Sequence, residues 1–234
     1  MHPNFASLLL AGALAITNQV VSPPAPPIPL PGPSGWARTV DHPYYPLRPG
    51  TVLAYTTIEG SRAGTDTVTV LRETRTIMGI TATVVRDRSY QGGLLVEDSV
   101  DWFAQDAAGN VWCLGEDTRE YRAGRVTSTA GSWEAGKSLA QPGIVMWAVP
   151  RVGVDYRQEF RRGVAEDMAR VLAVTARTTV GAVTYEPCVH TEEWSPLERG
   201  TRERKFYARG VGLVRMQSAL GPREEMTLVR VVTP

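Results

Sequence analysis

From residue 51 onward, apolar and polar positions alternate with a period near two, in runs of eight to twelve residues. Such alternation marks strands with one buried face. Thr65–Thr74 is the clearest run, with Thr65, Thr67 and Thr69 on one face and Val68 and Val70 on the other. Similar runs cover Thr51–Ile58, Ile80–Tyr90, Val96–Gln105, Asp155–Arg161, Val183–Trp194, Thr201–Ala208, Leu213–Leu220 and Thr227–Val232. Turn residues separate them: Glu59–Gly64, Met78-Gly79, Gln91-Gly92-Gly93, Arg122-Ala123-Gly124, Gly200, Gly210 and Gly221-Pro222. Asp106-Ala107-Ala108-Gly109-Asn110 is the best turn of the chain, because Gly and Asn accept positive φ and Asp bonds its own backbone. Val164–Val174 fits two readings, a helix with Val164, Met168, Val171 and Leu172 on one face or a strand from Met168. Turns about ten residues apart predict an all-β chain: an antiparallel meander forming a curved sheet, half-barrel or barrel.

One stretch has no alternation. Ala130–Gly153 mixes Gly and Pro with Trp133, Met146 and Trp147. A loop of this length is usually functional, and its apolar content argues against disorder. It is expected to cover an opening of the sheet, with Trp147 and Trp133 roofing a pocket.

The N-terminal segment differs in kind. Phe5–Ala15 is an apolar run of signal-peptide length, too short to span a bilayer, and Ala13-Leu14-Ala15 fits a cleavage site. The expected organisation is a signal peptide over 1–15, a linker over 16–43 and one β domain over 44–234, in a secreted or extracytoplasmic protein. Seven of the eleven residues in Pro23–Pro33 are proline, which suits a semi-rigid extended spacer. No other stretch reaches transmembrane length. The 25 basic and 24 acidic residues balance to +1, so no nucleic-acid partner follows from charge.

Chemistry is carried by few residues. Cys113 and Cys188 are the only cysteines; in an exported chain they are a disulfide candidate, and a bond between them is expected, two buried thiols being the alternative. The Cys188-x-His190 pair lacks the knuckle spacing of zinc sites, and the Asp106–Asn110 turn lacks the ligands of a calcium loop, so no metal or other cofactor is expected. There is no nucleophile elbow. Glu97, Ser99, Asp101, Phe103 and Gln105 share one strand face, and Arg157 and Glu159 share another. Facing inward they would form a buried network able to do acid–base work; facing outward they would form surface ladders. The outward arrangement is the expected one, since charged residues are mostly exposed.

Tyr45-Pro46-Leu47-Arg48-Pro49-Gly50-Thr51, Asp101–Asp106, Gly109–Trp112 and Tyr207-Ala208-Arg209-Gly210-Val211-Gly212-Leu213-Val214 together resemble a group of bacterial exported proteins. Those share a YFPLxxG opening, a β-meander and a YAPGVGLV-like ending. The resemblance runs from about Tyr44 to the C-terminus. It implies a curved antiparallel sheet similar to lipoprotein-carrier half-barrels or lipocalins, and it implies no chemistry. Arg209 and Cys113 depart from the pattern; the second departure makes a Cys113–Cys188 bond one peculiar to this chain.

Three functions fit. The first is a binding protein for an apolar or amphipathic small molecule, with Trp102, Trp133, Trp147, Arg157 and Tyr207 as candidate contacts. The second is an enzyme on the same scaffold using Asp101, Glu159 or His190. The third is an envelope interaction module without a pocket. Nothing in the sequence sets the oligomeric state.

Overall fold

The computed structural model describes residues 28–32 and 34–234; the expected signal peptide and most of the proline-rich stretch lie outside the described residues. Strands take up most of the described chain, and no helix is found among the described residues. In chain order the strands are β1 (Asp41–His42), β2 (Tyr45–Pro46), β3 (Val52–Glu59), β4 (Arg62–Ile77), β5 (Ile80–Gln91), β6 (Leu94–Gln105), β7 (Val111–Arg122), β8 (Arg125–Ser128), β9 (Trp133–Glu134), β10 (Gln141–Met146), β11 (Asp155–Arg157), β12 (Glu159–Phe160), β13 (Met168–Val180), β14 (Val183–Trp194), β15 (Arg202–Ala208), β16 (Gly212–Leu220) and β17 (Glu224–Val232).

Two hairpin-linked meanders make the wall. β3 to β7 pair in sequence order, as do β13 to β17, and β17 pairs with β3 to join them. The second seam is one short segment. β11 pairs with β13 through Tyr156↔Ala169, and three residues later β12 pairs with β10 through Pro142↔Glu159. The Gln158 N–H between them donates to the Asp167 carbonyl at 2.8 Å. Asp155–Phe160 therefore hydrogen-bonds both edges and nearly closes the sheet into a barrel of thirteen strands. The closure needs Gly143, because a Cβ there would sit 2.5 Å from the Gln158 carbonyl carbon.

The stretch without alternation is part of the wall. Trp133 lies in β9, and Pro142–Met146 of β10 are buried on both faces, so the segment reads as an apolar run. β10 hydrogen-bonds β7 at Gly143↔Cys113, and β9 does so at Glu116↔Trp133. Gly115 has φ +140°, and a Cβ on it would meet the Trp133 carbonyl oxygen at 2.4 Å. The ambiguous 164–174 stretch is strand from Met168, and β13–β14 carries three register shifts that blur its alternation.

Residues ahead of Tyr44 pack on the barrel as well. Trp36 bridges Asp106 and meets the Trp112 ring edge-on at 5.9 Å. Asp106 organises that end: Oδ1 accepts the Asn110 N–H, and Oδ2 accepts Asn110 Nδ2 and Trp112 Nε1, all within 2.9 Å.

The expected disulfide is absent. Cys113 on β7 and Cys188 on β14 are both free and buried. They stand on strands that are not neighbours in either direction around the sheet, beyond the reach of a disulfide. Thiol titration of the denatured, unreduced protein is expected to find both; fewer than two would contradict the structure.

Candidate functional site

The second meander carries a hairpin longer than its neighbour. β14 pairs with β15 only over Cys188–Glu193, so the rest of the β13–β14 hairpin runs past the end of β15. On the far side, β16 and β17 stop pairing at Arg215↔Thr227 although β17 continues to Val232 along β3. The hairpin tip lies against this split. Val180–Tyr185 and Thr227–Val231 enclose a cleft of about 440 Å³. Its walls are Val180, Ala182, Val183, Tyr185, Leu228, Val229 and Val231, with Thr227, Arg230 and the Tyr185 hydroxyl as the polar side-chain groups. Val183 and Val229 remain 52% and 59% exposed. Large apolar side chains at a hairpin tip and on an unpaired strand edge do nothing for an isolated barrel.

The barrel interior is acidic. Register places Val85, Asp101 and Glu116 side by side, and likewise Asp66, Ser89 and Glu97. The carboxylate face expected to look outward therefore looks in. Asp101 is fully buried, and Glu97, Glu116, Glu159, Asp66 and Asp87 are buried with it. On the opposite face, which is itself largely covered, Arg86 holds Asp98 in a bidentate pair of 2.7 and 2.5 Å. Among the described residues, neither the Asp101 nor the Glu116 carboxyl receives a hydrogen bond from another residue type. Burial pushes Asp101 up to about 8, reinforced by the charge of Glu159 and partly offset by a hydrogen bond with Glu116. Burial also raises Glu116, Asp87 and Asp66, and lifts Glu97 to about 8. At about 8, Asp101 and Glu97 stay mostly protonated at neutral pH, and hydrogen bonds link Asp101 with Glu116 and Asp66 with Asp87.

Of the three acid–base candidates, Asp101 and Glu159 come together, joined by Glu116. Trp133 Nε1 donates to Glu159 Oε2 at 2.8 Å. His190 does not join them. It faces outward, stacked on Phe206 at 4.1 Å, and burial followed by the charge of Arg204 lowers its pKa. Arg157 stacks on Phe160 at 3.9 Å. The expected ligand contacts scatter. Trp102 and Trp133 line a separate cleft of about 330 Å³ with Arg75, Glu116, Glu134 and Arg161; the Arg75 guanidinium covers the Trp102 ring at 4.1 Å. Trp147 packs edge-on against Tyr156 at 5.8 Å, and its carbonyl accepts from His42 Nε2 at 3.1 Å. Tyr207 turns inward and donates to Glu193 Oε1 at 3.0 Å.

No family model and no curated protein matches the chain. Two solved structures are similar. One, from Bacteroides fragilis, is named as an exported protein with YmcC-like fold: 12% identity over 81% of this chain and 99% of that one, TM-score 0.48. The other, from Parabacteroides distasonis, is named as a lipoprotein: 12% identity over 81% and 98%, TM-score 0.44.

Sequence reasoning missed the hairpin cleft. A signal was there in Val180-Gly181-Ala182-Val183, an apolar turn where hairpins usually carry polar residues. It also missed Lys205, Glu193, Glu203 and Glu224. Lys205 reads as part of a basic run at a strand end, yet its Nζ is buried, 2.8 Å from Glu193 Oε2 and 3.4 Å from Glu203 Oε2.

Proposed function

We propose that the chain is exported and binds an apolar or amphipathic small molecule in the cleft between the β13–β14 tip and β17. One observation carries this reading: a cleft of about 440 Å³ walled by valines, leucine and tyrosine, at a place where the sheet has stopped pairing. The volume is that of a ligand site. The apolar stretch Phe5–Ala15 supports export. No helix among the described residues is long and apolar enough to cross a membrane. Catalysis is the weaker reading, because Asp101 is sealed inside the wall and His190 stands outside it.

The test is titration with a fluorescent fatty-acid analogue. The protein is expected to bind it saturably, and Val229→Asp, at an exposed position of the cleft wall, to weaken binding about tenfold or more by placing a charge in an apolar wall. Unchanged affinity in that variant, with the fold intact, would show that the cleft is not the site.

A further inference from the structure

At the opposite end of the barrel, the β14–β15 and β16–β17 turns enclose a small cavity of about 40 Å³. Five carboxyl groups line it: Asp167, Glu193, Glu198, Glu203 and Glu224. Two basic groups also line it, and both are engaged. Arg202 reaches Glu192 at 2.9 Å and lies over the Trp194 ring at 4.7 Å. Lys205 spans Glu193 and Glu203. Glu193 is already engaged, since Lys205, the Tyr207 hydroxyl and the Thr191 hydroxyl all donate to it. Two acceptors are left over. Glu203 Oε1 is buried without a hydrogen-bond partner. Glu224 is only 4% exposed, its backbone is held by Ser218, and its carboxyl has no donor among the described residues.

We propose that this cavity binds the ammonium group of a primary amine, which donates to Glu224 and to Glu203 Oε1 beside the fixed ammonium of Lys205. The space holds on the order of two or three water-sized groups, which suits an ammonium head better than the broad fork of a guanidinium. Among the described residues no group of carboxylates is spaced to close on one metal ion, so a charged group carrying its own N–H donors is the better match. Lys205 shows that these walls already hold one such group. The site is independent of the apolar cleft, which lies at the other end.

Burial, then the charges of Glu203, Glu59 and Glu198, raise Glu224 to about 8. Binding must therefore strengthen as pH rises through that value, while an alkylamine stays charged with a pKa near about 10. The test is calorimetric titration of the full chain with n-butylamine, n-butanol and guanidinium chloride at about pH 8.5 and about pH 5. Saturable binding of n-butylamine alone, stronger at the higher pH and about tenfold weaker in Glu224→Gln, is expected from loss of one charge-assisted hydrogen bond. Val229→Asp, at the far end, should bind the amine as the parent does. Equal binding of n-butanol, tighter binding of guanidinium, unchanged affinity in a folded Glu224→Gln, or no saturable amine binding at about pH 8.5 each overturns the proposal.

Discussion

The melting temperature is expected to fall as pH rises from about 5 to about 9, the reverse of what salt-bridged carboxylates produce. Glu97, Asp101 and Glu224 are each raised to about 8 in the folded chain, burial being the first cause in all three. In the unfolded chain they titrate near about 4. Between those values the folded state holds more protons than the unfolded one. Their contribution is thus fully present below about pH 4 and lost as pH climbs through about 8. Each tenfold difference in proton affinity is worth about 1.4 kcal/mol, so the fully buried Asp101 alone amounts to several kcal/mol, a drop of about 10 °C or more. Asp101→Asn, which is nearly isosteric and cannot ionise, should flatten the profile and melt higher than the parent at about pH 9. Thermal denaturation across the pH range decides it: a profile flat or rising between pH 5 and 9 sinks the account of the interior.

Lys205→Met should be the most damaging single change. It keeps the length of the stem and removes the cation that sits between Glu193 and Glu203. Glu193, Glu203 and Asp167 would then crowd together in a buried place, and breaking a buried pair from one side costs about 3–5 kcal/mol. For a chain of this size that is about 10 °C of melting temperature. Urea denaturation of the variant near neutral pH measures the loss. Adding Glu193→Gln should restore much of it, because the orphaned charge is then gone. If Lys205→Met is as stable as the parent near neutral pH, the ammonium is not the counter-ion that the geometry makes it.

The strands were legible because each has one buried face, and the period of two survives in Val52–Glu59, Ile80–Gln91 and Val183–Trp194. Strand ends shift by up to three residues from the expected bounds, as in Arg62–Ile77 and Glu224–Val232. The direction of each face was not legible. Glu97, Ser99 and Asp101 share a side on any reading, but only the closed register, with Asp101 beside Val85 and Glu116, sets that side inward. Average exposure then argues for the wrong face, since a protonated carboxyl can be buried where a charged one cannot. Ala130–Gly153 was opaque for another reason. β9 and β10 are two and six residues long, and β10 is covered on both sides, so no alternation exists to be seen. The tryptophans were located by sequence as apolar mass; what each touches depended on pairings between β7, β9 and β10 that only the fold supplies.

Asp155–Phe160 has a consequence for the order of folding. Each meander is assembled from consecutive hairpins, and such contacts form early because little chain must be closed. The two seams are another matter. Pairing Val52 with Val232 brings together residues from nearly opposite ends of the chain, and the six-residue clasp cannot bond both edges until both meanders exist. The barrel should therefore form as two preassembled leaves that dock late, with the clasp latching last. Until it latches, the edge strands β10 and β13 present unpaired backbone. That interval is when two chains in a concentrated solution could trade leaves, so refolding yield should fall with protein concentration more steeply than native stability alone would suggest.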